Sequence, residues 1–186
     1  MSHLKVYHED KPAQPMLETS DAAEMARHLS DIGVRFERWS AAQPVAAGGA
    51  QDTVLAAYRQ PVDALMRDCG YQTADVISLT QDHPDKVALR QKFLNEHTHA
   101  EDEVRFFVDG RGLFYLHVAG KVYGVLCEKG DLISVPANTT HWFDMGPEPH
   151  LACIRLFTDP AGWVANFTGS TIAQRFPMID GMADAA

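Results

Sequence analysis

The sequence predicts a mainly β fold: a closed antiparallel double-sheet barrel with a few N-terminal helices packed outside it. Two patterns carry that prediction. From Lys86 onward, short β-branched and aromatic runs recur about every eight to twelve residues, separated by turn-forming pairs. Before that point, apolar residues recur at helical spacing in two places. A chain of 186 residues, 46% of them apolar, is long enough for one domain around one core. The expected layout is a mixed helix and strand part over about 1–85, a barrel core over about 86–170 and a flexible tail over 180–186.

Residues 3–8 alternate as a short strand. Thr19 or Ser20 can cap a helix whose apolar face is Ala22, Met25, Ala26, Leu29 and Ile32, and Gly33 ends it. Val34 to Trp39 alternates as a strand, and Ala41 to Gln51 is small and polar, as a loop would be. Val54, Leu55, Tyr58, Val62, Leu65 and Met66 mark helical faces; Pro61 starts a second helix there and Gly70 closes it. Ala74 to Leu79 is a strand. Val87, Leu89 and Phe93 share parity with His97 and His99, so a continuous strand would carry its core face straight to the histidines. Turns follow at Asp109-Gly110-Arg111-Gly112, Ala119-Gly120, Glu128-Lys129-Gly130-Asp131 and Pro147-Glu148-Pro149.

Charge excludes several classes of function. With 16 basic against 25 acidic residues the net charge is −9, which opposes general binding to nucleic acid or to an anionic membrane. It does not oppose a small anionic substrate in a pocket with local cations. No apolar run approaches the roughly 18 residues of a membrane span, and the N-terminus lacks a basic-then-apolar signal. A cytoplasmic location is expected. Cys69, Cys127 and Cys153 have no metal-binding or redox spacing and read as reduced, mostly buried apolar residues.

The chemistry concentrates in His97-Thr98-His99-Ala100-Glu101-Asp102-Glu103 and in His141 downstream. In an extended strand, residues two apart project to the same side, so both imidazoles can reach one ion. Glu103 opens the next strand, and His141 supplies a fourth donor. Three imidazoles and one carboxylate suit a transition metal such as Fe, Ni, Mn, Co or Zn better than Ca or Mg. Four ligands leave two cis positions open on an octahedral ion, which suits catalysis. Arg105 lies two residues after Glu103 and points into the same space. A cation there needs a counter-charge, which a neighbouring carboxylate or an anionic substrate would provide. Arg155 sits in an apolar strand and also demands a partner. Phe143 shares parity with His141, whereas Trp142 has the opposite parity and packs. His117 reads as a barrel-wall residue, His150 as a turn residue, and His3, His8, His28 and His83 as surface. Glu96 and Asp102 flank the ligands, in reach of orienting them.

Glycine and proline punctuation extends this pattern. Gly110 follows Glu103, and Gly130 and Pro136 precede His141 at spacings that resemble the paired motifs of the cupin superfamily. Gln91 stands where the first motif has glycine, and Asn138 and Met145 stand where the second has Gly and Asn. Asn138 can still adopt the left-handed turn. The runs His97 to Tyr115, Leu126 to Ala137, His141-Trp142-Phe143-Asp144-Met145-Gly146, Ile154-Arg155-Leu156-Phe157 and Gly162-Trp163-Val164-Ala165-Asn166 resemble the acireductone dioxygenase family. The dense match runs from about Phe93 to Gly169.

The resemblance implies a cupin double-stranded β-helix, or jelly-roll, with one Fe(II) or Ni(II) per chain held by His97, His99, Glu103 and His141. It implies that Arg105 positions the substrate and that Phe93, Phe143, Arg155 and Trp163 surround it. It further implies oxidative cleavage of acireductone by O2 in methionine salvage, with the metal choosing the products. A monomer that binds neither nucleic acid nor membrane is expected. Two other readings stay open: a cupin isomerase or decarboxylase, which needs a phosphate or second carboxylate site, and a non-catalytic metal-binding cupin.

Overall fold

The computed structural model describes residues 1–41, 45, 49–159 and 164–181. The chain begins with β1 (His3–His8), β2 (Pro15–Thr19), α1 (Ala22–Ser30) and β3 (Arg35–Arg38). Then come α2 (Gln51–Ala57), α3 (Arg59–Cys69), β4 (Thr73–Leu79) and α4 (Lys86–Phe93). The remainder is nearly all strand: β5 (His97–Thr98), β6 (Glu103–Val118), β7 (Lys121–Glu128), β8 (Asp131–Val135), β9 (Thr140–Asp144), β10 (Leu151–Phe157) and β11 (Asn166–Phe167).

These strands form two antiparallel layers that share β6. One runs β11-β5-β9-β6-β7-β1-β2 and the other β4-β10-β6-β8-β3. The first half of β6 pairs with β8 and β10, and its second half pairs with β7 and β9. The fold is the double-sheet, mainly β architecture that the sequence predicts. Its layers join through the long strand, and β2, β11, β3 and β4 remain as edges.

Two local devices let β6 change layers. Opposite Val108 the register with β10 slips, so that Phe107 faces Cys153 but Asp109 faces Ala152. One inserted residue reverses which parity faces inward. Before the bulge Phe107 enters the central core; after it Phe114 and Leu116 do. Val104, Phe106 and Val108 face the other way, against Val54, Tyr58, Val62 and Leu65 of the α2–α3 region. At Gly110 the chain takes φ +71°, and a Cβ there would lie 1.8 Å from the carbonyl oxygen of His150. Only glycine fits. The turn expected at Asp109 to Gly112 is therefore a bend inside one continuous strand.

Other expectations are also corrected. The segment expected to run as a strand into His97 is the helix α4. Leu89 and Phe93 are four residues apart, a spacing that satisfies an alternating strand and a helix face equally. The composition decides: Lys, Ala, Leu, Arg and Gln are strong helix formers. Leu89 and Phe93 still pack on the central core. The cap of α1 is Asp21, whose carboxylate accepts from the Glu24 amide at 2.9 Å, not Thr19 or Ser20. The helix stops at Ser30, and Gly33 has φ +77°. Pro61 falls inside the first turn of α3, after α2 has already formed. Residues 42–44 and 46–48 of the expected loop, and 182–186 of the expected tail, lie outside the described residues.

Candidate metal centre

His97 stands directly opposite His141 in the β5–β9 pairing, and Glu103 opens β6 beside them. The donor atoms of His97, His99, Glu103 and His141 all lie within 4.8 Å of one another, and all four side chains are buried. Asn138 has φ +63° in the turn before β9, and its amide donates to the carbonyl of His99 at 2.8 Å. The left-handed turn that asparagine can supply is thus what ties the β8–β9 connection to the second histidine.

Main-chain oxygens aim each imidazole. Nδ1 of His97 meets the carbonyl of Asn95 at 2.7 Å, Nδ1 of His99 meets that of Val164 at 3.2 Å, and Nδ1 of His141 meets that of Thr139 at 2.7 Å. A carbonyl can only accept, so each Nδ1 carries the proton and, in the neutral ring, each Nε2 presents a lone pair. The Nε2 atoms of His141 and His99 then sit 2.9 Å and 3.1 Å from Oε2 of Glu103. Lone pairs facing a carboxylate oxygen repel unless a cation lies between them. The donor set therefore fits a divalent transition ion. Burial pushes the pKa of His97 down to about 4, so the ring is neutral and ready to ligate near pH 7. Burial alone would push Glu103 up. The charge of Arg105 outweighs it and holds the carboxyl well below its ordinary range.

Above these donors opens a cavity of about 150 Å³. Phe93, Phe143 and Ile77 wall it, with Arg105 and Arg155 at its sides. The Phe143 ring lies 4.7 Å from Phe114 and 6.4 Å from Phe93, and the Arg105 guanidinium stacks over it at 4.9 Å. Gly112 makes room for this ring, since a Cβ there would lie 2.3 Å from it.

The structure thus brings together the four expected ligands and four of the five residues expected around the substrate. The fifth, Trp163, lies outside the described residues. Of the counter-charges open to Arg105, the structure supplies the carboxylate: its Nε donates to Oε1 of Glu103 at 2.7 Å. Arg155 is held by both oxygens of Asp75, at 2.8 Å and 2.6 Å, across the β4–β10 pair. Glu96 and Asp102 serve elsewhere. Glu96 takes bonds from His117 and Thr168, and Asp102 takes them from Tyr71 and the Ala137 amide. His117 is more than a wall residue, since its other nitrogen meets Glu9 at 2.8 Å. Sequence reasoning missed Lys92, Ile77 and Ala165 in the lining. The signal for Lys92 was its place beside Phe93, hidden while that segment read as a strand.

Residues 4–165 match the ARD/ARD' family. An acireductone dioxygenase of Pseudomonas aeruginosa (strain UCBPP-PA14) is 59% identical over 180 residues, 97% of this chain and 99% of that protein. One from Hahella chejuensis is 54% identical over the full length of both. Among solved structures, acireductone dioxygenase from Bacillus anthracis with a cadmium ion in its active centre superposes with TM-score 0.80. It is 28% identical and covers 90% of this chain and 98% of its own. A buried centre of three imidazoles and one carboxylate, on this fold and with these relatives, fixes the family: the chain belongs to the ARD/ARD' family.

Proposed function

We propose that the protein is a dioxygenase that cleaves acireductone, 1,2-dihydroxy-3-keto-5-methylthiopentene, with O2 in methionine salvage. With Fe(II) the products are formate and 4-methylthio-2-oxobutanoate; with Ni(II) they are formate, carbon monoxide and 3-methylthiopropanoate. We read it as a cytoplasmic monomer with one ion per chain. The observation that carries the reading is the donor set at the floor of a small, apolar-walled cavity, in a chain that matches acireductone dioxygenases over nearly its whole length.

When bound, the ion supplies Lewis acidity and open coordination positions that favour the ionised enediol. The chain's residues do the rest. Phe93, Phe143 and Ile77 offer an apolar wall for the methylthioethyl tail and exclude water. Arg105 holds Glu103 ionised and in place, and its stack on Phe143 couples the carboxylate to that wall. Arg155, clamped by Asp75, closes the side of the cavity.

The test is anaerobic reconstitution with Fe(II) or Ni(II), followed by acireductone and oxygen, with gas analysis for carbon monoxide and chromatography of the acids. Each metal should give its own product set, and His97→Ala and His141→Ala should each drop bound metal from about one ion per chain to near none. Oxygen uptake without either metal would remove the assignment. Identical products from both metals would remove only the metal switch.

A further inference from the structure

Charge matching around the cavity singles out one residue. Four described side chains that carry formal charge line it: Glu103, Arg105, Arg155 and Lys92. Glu103 and Arg105 neutralise one another, and Arg155 is clamped by Asp75. On α4, Lys86 pairs with Glu148, and Arg90 pairs with Asp144 and Asp180. Lys92, on the last turn of the same helix, has no ion pair among the described residues. It is exposed, whereas the donors at the cavity floor are buried, so it marks the mouth.

The chain as a whole carries −9 and repels an anion. A bound divalent ion attracts an anion from the cavity floor, and a positive charge at the entrance extends that pull out to solvent, against the field of the whole chain. We infer that Lys92 is the recognition charge of this site: its ammonium draws the anionic substrate to the mouth and selects it over neutral compounds of the same shape. The inference rests on the functional reading above for the identity of the anion, but not for the placement of the charge. A lysine in a last helical turn also complements the helix dipole, worth a few tenths of a kcal/mol at an exposed end. That role would move stability and leave ligand affinity alone.

The experiment compares wild type, Lys92→Met and Lys92→Arg, each loaded with one verified metal. Acireductone kinetics are measured between about 0.02 and 0.3 M salt. Wild-type kcat/KM should fall with salt. Lys92→Met should lower kcat/KM about five- to tenfold at low salt, mainly through KM, and flatten the salt dependence. Lys92→Arg should restore both. A second measurement needs no turnover: calorimetric binding of glycolate, a small hydroxy-acid anion, to the zinc-loaded proteins. Its affinity should weaken about five- to tenfold in Lys92→Met and recover in Lys92→Arg. Wild-type affinity and salt slope in Lys92→Met would overturn the inference. If acireductone is not turned over but glycolate binding still depends on Lys92, the functional reading falls and the recognition charge stands.

Discussion

Gly112 and Phe143 show how narrowly single residues set the cavity. The ring occupies the space that any Cβ at position 112 would claim, and the same ring carries the Arg105 guanidinium. Gly112→Ala should push Phe143 into the cavity. We expect about 1–3 kcal/mol lower stability from overpacking and a fall of about tenfold in kcat/KM, with metal content near one per chain. Metal analysis beside kinetics checks this, and unchanged kinetics in a folded variant would show that the ring has room elsewhere. At this scale the four ligands were legible in the sequence, because their spacing and the flanking Gly110, Gly130 and Pro136 are local facts. For Arg105 the choice between the adjacent carboxylate and a substrate stayed open. Both readings obey the same rule that a buried cation needs an anion, and the 2.7 Å contact with Glu103 is visible only in the folded chain.

The connections between elements carry the donors as much as the strands do. His117, on the second half of β6, bridges Glu9 just after β1 and Glu96 just before β5, and its carbonyl accepts from the Thr140 hydroxyl at the start of β9. Burial would lower the pKa of His117, but the two carboxylates reverse that and raise it above the ordinary 6.5. Such a group contributes stability that is fully present below about pH 6.5 and fades as the pH rises through the raised value. His117→Gln should therefore lower Tm by about 2–4 °C near pH 6 and by less near pH 9. An equal loss at both would show that hydrogen bonding, and not charge, holds the bridge. The sequence showed most strands, the β6–β7 hairpin at Ala119-Gly120 and the turn at Gly130 between the layers, because turn residues announce them. It hid the bend at Gly110, where the same residue type keeps a strand going around a corner. It also hid α4, where two periodicities coincide at a spacing of four.

Over the whole molecule, the donors draw together segments that are distant in sequence. His97 and His141 belong to one layer and the start of β6 to the other, so an ion bound by all four residues binds only the folded chain. Metal at a thousandfold excess over its Kd should add about 4 kcal/mol, or about 8–16 °C in Tm for a chain of this size. Removal by a chelator should reverse the gain. A Tm indifferent to metal would mean the donors do not act as one site.

The atoms that aim the three imidazoles belong to the backbone at Asn95, Thr139 and Val164. A carbonyl oxygen is supplied by every amino acid, so no single substitution at those positions deletes one. The aim of the donors depends on the path of the backbone at those positions rather than on a functional group of any one side chain. The chemistry of ligation thus resides in four side chains, while their orientation is written into the course of the main chain.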